Sequence, residues 1–228
     1  MTRTQPGAVP PRRTDSLLAA AFRPLWVLTF LVYGFDALLR AVVPVIALDR
    51  GGDAVFVGLL GAAFAIPSVI FRPVVGTLVD SWQHRRLHRA GTAGMALLPL
   101  LLLIPTTLPM LVARFLYGTA WAVFSVSNHA VLARLAPPHR RAQAAAGYLT
   151  AGAIGVTILS PLGIRLYADF GQLVPIVFVV GLGAAALLTA LRLTIPRTSA
   201  QGSDPGGSAP QGSPAPAADS ASASCASA

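Results

Sequence analysis

The chain has 228 residues, of which only 11% are charged, with a net charge of +9 and a mean hydropathy of +0.67. So few charges cannot cover a soluble surface, and lipid must be the solvent for most of the chain. The positive balance does not mark a nucleic-acid binder, because the arginines fall in short clusters between apolar stretches of about 20 residues.

Residues 1–23 are polar, Pro-containing and basic, and read as a cytoplasmic N-terminal segment. The apolar run 24–48 is too long for the core of a secretory signal and is followed by further spans, so it reads as an uncleaved first transmembrane helix. It carries Asp36 about 17 Å from its start, at about 1.5 Å per residue, and Arg40 one turn beyond. Ionisable groups at that depth are costly and default to function. Asp36 would exchange a proton or hold a cation, while Arg40 or Arg114 would favour its ionised form or bind an anionic substrate. The alternative is an i,i+4 pair that only neutralises itself.

A second span at 55–79 ends in Arg72-Pro73-Val74-Val75-Gly76-Thr77-Leu78-Val79-Asp80-Ser81-Trp82-Gln83-His84-Arg85-Arg86. Gly76 permits close approach of a neighbouring helix, Asp80 can accept hydrogen bonds at the membrane surface, and Arg85 and Arg86 hold the loop on the cytoplasmic side. His84 and His88 stand at i,i+4 among arginines with no third ligand in view, so no metal site is predicted. The third span, 87–104, is barely long enough to cross.

The fourth span, 108–132, carries Arg114 about 8 Å from its start. If the Asp36 and Arg40 charges only neutralise each other, Arg114 would snorkel outward. Ser125, Asn128 and His129 near the other end read as polar contacts between helices. The fifth span, 142–167, is rich in glycine, with Gly147, Gly152 and Gly155 before Ser160-Pro161-Leu162-Gly163, and the sixth is 173–193. Arg72 and Arg165 read as interface anchors. Residues 195–228 are Ser, Ala, Gly and Pro with the single Cys225, a composition that predicts a disordered cytoplasmic tail with no disulfide framework.

Arginines at 3–23, 85–89, 134–141 and 192–197 alternate with a side that holds Arg50 alone, beside Asp49 and Asp53. With an even number of spans, the positive-inside rule puts both termini in the cytoplasm of a multi-pass inner (plasma) membrane protein.

The segment around Gly76, Asp80, Arg85 and Arg86 resembles the cytoplasmic loop signature of the major facilitator superfamily, with Ser81 and Gln83 departing from it. Arg114 to Gly118 is similar to that family's helix 4 signature, with Tyr117 in place of a Gln. Gly152, Gly155, Pro161 and Gly163 resemble part of the helix 5 signature of its antiporter branch. The resemblance covers about 25–193. It implies an all-α membrane protein whose six transmembrane helices, in the bundle 24–194, form two inverted three-helix repeats. Pro73 and Gly76 before Asp80, echoed by Pro161 and Gly163 before Asp169, fit such a repeat.

The implied function is transport of a small-molecule substrate by a half-size secondary transporter, with proton-coupled efflux as the antiporter-like sense. Helices 1 and 4 would line the pathway, bringing Asp36, Arg40 and Arg114 together. The expected partners are the lipid bilayer and a second six-helix half, most simply in a homodimer that buries the Gly-rich face of helix 5 and the region of Gly76; no nucleic acid is expected. A truncated or regulatory relative that does not transport is the alternative. No nucleophile-base pair is present, so neither an enzyme nor a cofactor is expected.

Overall fold

The computed structural model describes the backbone of residues 13–80, 84–136 and 140–193 and the side chains of 22–79, 85–136 and 140–193. The tail 195–228, residues 1–12, the loop residues Ser81, Trp82 and Gln83, and the side chains of Asp80 and His84 lie outside the described residues. Among the described residues there are six α-helices and no strand. They are α1 (Arg13–Asp49), α2 (Ala54–Asp80), α3 (His84–Leu97), α4 (Thr107–Leu135), α5 (Arg141–Phe170) and α6 (Leu173–Arg192). A 3-10 helix, Leu98–Leu103, joins α3 to α4.

Two elements differ from the sequence reading. Helix α1 begins at Arg13 rather than at residue 24, because the Leu- and Ala-rich stretch before Pro24 consists of good helix formers. The third element is not one α-helix. It changes to 3-10 geometry at Leu98, with Pro99 at the start of the new segment, since proline has no N–H for the α-helical ladder and its ring opposes the preceding turn. Five helices are therefore long and apolar enough to cross a membrane: all but α3.

Helix α1 packs chiefly on α5, and α2 on α4; α6 lies against both α1 and α3, and α3 also lies against α4. The apolar core falls into a larger cluster, with Phe35, Leu38, Ile46, Met95 and Phe124 almost fully buried, and a smaller one around Leu25, Val131 and Tyr148. By contrast α2 leaves Val55, Leu59, Ile66, Val69, Ile70 and Val74 exposed, a surface suited to lipid or to another apolar helix.

Glycine decides the two main helix pairs. A Cβ on Gly155 would stand 2.5 Å from the Phe30 carbonyl oxygen of α1, and one on Gly118 would meet the Phe64 carbonyl of α2, with Pro67 Cγ at 2.9 Å. These helices meet backbone to backbone, a contact that only small residues allow.

At the end of the bundle that carries the α1–α2, α3–α4 and α5–α6 connections, Arg50 ties the three together. Arg50 donates to the Leu102 carbonyl at 2.6 Å, the Ile104 carbonyl at 3.1 Å and Gln172 Oε1 at 2.9 Å. Two of these acceptors lie at the C-terminal end of the 3-10 helix, where unpaired carbonyls favour a cation. The neighbouring Asp49 accepts from the Tyr167 hydroxyl at 2.5 Å, and Asp53 caps α2 by accepting from the Phe56 N–H at 2.8 Å. An Arg50→Ala variant is expected to lose about 1.5–3 kcal/mol, the range for hydrogen bonds to a charged group, and to melt earlier in mild detergent. An unchanged melting temperature would mean that the loops are held without the clasp.

Candidate functional site

Four residues of α1, Thr29, Tyr33, Asp36 and Arg40, recur at intervals of four, three and four, so they form one polar stripe down an otherwise apolar helix. On α4 the residues Arg114, Tyr117, Trp121, Ser125 and Asn128 recur the same way. The backbones of α1 and α4 make few close approaches, and long side chains from the two stripes fill the space between them.

At one end of this seam, Arg40 donates to Asp36 Oδ2 in an i,i+4 ion pair. The Asp36 side chain is 2% exposed and that of Arg40 49% exposed, so the acid is sealed and the base reaches outward. The Arg40 guanidinium lies over the rings of Phe64 and Trp121, each centroid 5.3 Å away, and Arg114 lies 4.9 Å from the Phe64 centroid. Arg114 and the Tyr117 hydroxyl are both within electrostatic reach of Asp36. Cation–π contact supplies part of what the guanidiniums lose in leaving water.

The structure thus brings Asp36, Arg40 and Arg114 together. Asp36 and Arg40 do pair, but Arg114 does not snorkel outward: it is 5% exposed. Its Nε and Nη1 are buried without a hydrogen-bond partner among the described residues, while Asp36 Oδ1 and the Tyr117 hydroxyl face each other without reaching a full hydrogen bond. A buried polar atom costs about 1–3 kcal/mol when left unpaired, so these atoms in one place mark a site that strain or a ligand must account for.

The other end of the seam is a hydrogen-bond network centred on Asn128, one of the residues read from the sequence as a polar contact between helices. Asn128 Nδ2 donates to Thr29 Oγ1 and to the Tyr148 hydroxyl, both at 3.3 Å, and Tyr148 and Tyr33 hydroxyls are 3.1 Å apart. His88 Nε2 lies 3.2 Å from Asn128 Oδ1. An amide oxygen only accepts, so Nε2 carries the hydrogen and donates. Residues from α1, α3, α4 and α5 meet here. Bonds of this kind inside membranes contribute about 0.6 kcal/mol each, so the network's weight lies in fixing orientation. The polar spacing of the two stripes was the signal that could have found it.

The remaining predicted residues fall elsewhere. His88 is a buried core residue at 1% exposure, not half of a surface pair. Ser125 and His129 bond to carbonyls of their own helix, at Ala122 and Ser125, the His129 ring also packs 4.9 Å from that of Tyr148 on α5, and of the three Asn128 supplies the hydrogen bonds between helices. Arg72 and Arg165 are exposed, as anchors would be. A Cβ on Gly76 would meet nothing within 4 Å, so its space is open to an outside neighbour, while Arg85 is partly buried and Arg86 exposed. Gly152, Gly155 and Gly163 are buried against Tyr33, Phe30 and Leu38 of α1, and the face expected to form a dimer interface is used inside the chain. Pro161 lies exposed within α5.

With this geometry, a sequence profile described as the Major Facilitator Superfamily matches residues 25–222. No curated protein matches the chain.

Proposed function

The chain belongs to the major facilitator superfamily, a family of membrane transporters, and from that premise we propose that it carries a small solute across the membrane through the seam between α1 and α4, coupled to a proton on Asp36. The observation that carries the reading is a buried acid, two guanidiniums and a tyrosine hydroxyl with unpartnered polar atoms at the middle of an apolar bundle. Such a cluster is expensive unless it is used.

Six spans arranged as two inverted repeats fit best. Helix α3 and its 3-10 extension together reach about 33 Å, enough for a hydrocarbon core of about 30 Å. Exchanging α1 with α4, α2 with α5 and α3 with α6 turns the α1–α5 contact into α4–α2 and the α1–α6 contact into α4–α3, the pairs that dominate the packing. That exchange is what an inverted repeat predicts.

The six helices line one wall of a pathway, and alternating access needs a second bundle to rock against it. A second copy of the chain or a separate six-helix half supplies that wall. With the glycines of α5 occupied by α1, the open Gly76 and the exposed apolar face of α2 are the better candidates for the contact.

The purified chain in proteoliposomes is expected to take up solute from a metabolite panel faster with a proton gradient than without. Equal uptake in protein-free vesicles for every solute would overturn the reading.

Both termini face the cytoplasm in this arrangement, and an impermeant thiol reagent tests it. His88 is buried and unsuitable, so cysteine is placed at Gly51 and at Gln143, both exposed, in a Cys225→Ser background. Gly51→Cys should label from outside and Gln143→Cys only after permeabilisation. Labelling of both from outside would sink the orientation.

A further inference from the structure

The charge count at the seam sets which solute it takes and in which sense a proton couples. We propose that the Asp36, Arg40 and Arg114 cluster binds an organic anion with an aromatic body, and that the anion and a proton on Asp36 bind cooperatively, so that the two move together. This rests on the transport reading above and deepens it.

The titratable groups that face Asp36 are Arg40 from its own helix and Arg114 and Tyr117 from α4. Tyr33 adds a hydroxyl within reach of Arg40. Helix α2 presents the Phe64 ring, and α5 meets this stretch of α1 through Gly155 and Gly163 on Phe30, Gly34 and Leu38. Helix α6 has no titratable residue before Arg192 at its end. Two guanidiniums therefore stand against one carboxylate, and a cation entering the seam would meet net repulsion.

Arg114 is 95% withdrawn from solvent and keeps two guanidinium nitrogens, Nε and Nη1, without partners among the described residues, and the buried Tyr117 hydroxyl faces Asp36. Guanidinium N–H edges recognise carboxylate, sulfonate or phosphate oxygens, while the faces already lie on aromatic rings. Phe64, Trp121 and Tyr33 then offer a flat body something to stack on.

When Asp36 takes a proton from the aqueous side, the carboxylate becomes a neutral acid and the ion pair with Arg40 is lost. Arg40, already half exposed, turns its N–H groups to the pathway, and the negative charge that would repel an anion is gone. By linkage, the anion must in turn favour the protonated acid by the same factor. Proton and cation would compete at Asp36 and exchange; proton and anion assist one another and travel together. This is opposite to the antiport sense suggested by the glycines of α5, which close packing on α1 already explains.

The test is calorimetric titration of the full chain in mild detergent with benzenesulfonate, which stays ionised at any working pH, and with phenyltrimethylammonium as its cationic counterpart. Benzenesulfonate is expected to bind about 10-fold more tightly at pH 5.5 than at pH 8, within the usual range of coupling between sites. Asp36→Asn should bind it tightly at both values, and a pH dependence that persists in this variant would assign it to His88 or His129 and overturn the proposal. Arg114→Gln should bind it weakly at both. Preference for the cation, binding of neither probe, or wild-type binding indifferent to pH would also overturn it. Failure here with proton-driven uptake of another solute intact removes the anion assignment and leaves the transport reading; benzenesulfonate binding as expected, without transport of any solute, does the reverse.

Discussion

Asp36→Asn is expected to reduce proton-driven solute accumulation in vesicles to background while solute exchange at equal pH on both sides continues. The amide keeps the shape of the acid but takes no proton, so binding survives and its link to the gradient does not. The fold should tolerate the change, because the partner left behind, Arg40, is half exposed and can reach water. Arg40→Ala is the informative contrast. It strands a carboxylate that is 2% exposed, and although Arg114 still faces it, a loss of about 3 kcal/mol is expected, the low end for breaking a buried pair. Full gradient-driven accumulation by Asp36→Asn would remove Asp36 from the mechanism, and equal stability of the two variants would contradict the burial asymmetry.

Three side chains of the site were legible in the sequence because a charge in an apolar run is costly at that depth, whether it neutralises a neighbour or serves a function. Asp36, Arg40 and Arg114 stood out for that reason, and the helix periods put the first two one turn apart. Thr29, Tyr33, Trp121 and Tyr148 were not singled out, and Tyr117 entered only as a departure from the helix 4 signature, since such residues are ordinary in membrane helices when read one at a time. Only the shared stripe, and the facing stripe on α4, gives them a common role. His88 sits inside the fold although Arg85, Arg86 and Arg89 surround it in sequence, because the turn of α3 carries His88 and Thr92 inward. The Arg50 clasp was beyond reach, because two of its acceptors are backbone carbonyls whose position depends on where α3 breaks.

The same distinction separates motif from packing at Gly118 and Gly155. In sequence they belong to signature-like stretches and invite a functional reading. In the fold each is the point where two helix backbones touch, α4 on α2 and α5 on α1. A methyl group at Gly155 would meet the Phe30 carbonyl oxygen at 2.5 Å and the Gly34 backbone nitrogen at 3.1 Å. Neither is a flexible side-chain end, so the helices themselves must part. Overpacking a well-filled interior costs about 1–3 kcal/mol, and a backbone contact belongs at or above the top of that range. Gly155→Val and Gly118→Val are therefore each expected to lose about 3 kcal/mol or more and to give mostly aggregated protein in size-exclusion chromatography. Gly181→Val is the control, since a Cβ there meets nothing within 4 Å on another helix long enough to cross the membrane, and it should elute and melt like the parent. If Gly155→Val were as stable as Gly181→Val yet failed to transport, the glycine would belong to the mechanism and not to the packing. Loss of folding in Gly155→Val and Gly118→Val but not in Gly181→Val would tie both signature glycines to the helix pairs that hold the seam between α1 and α4 in register.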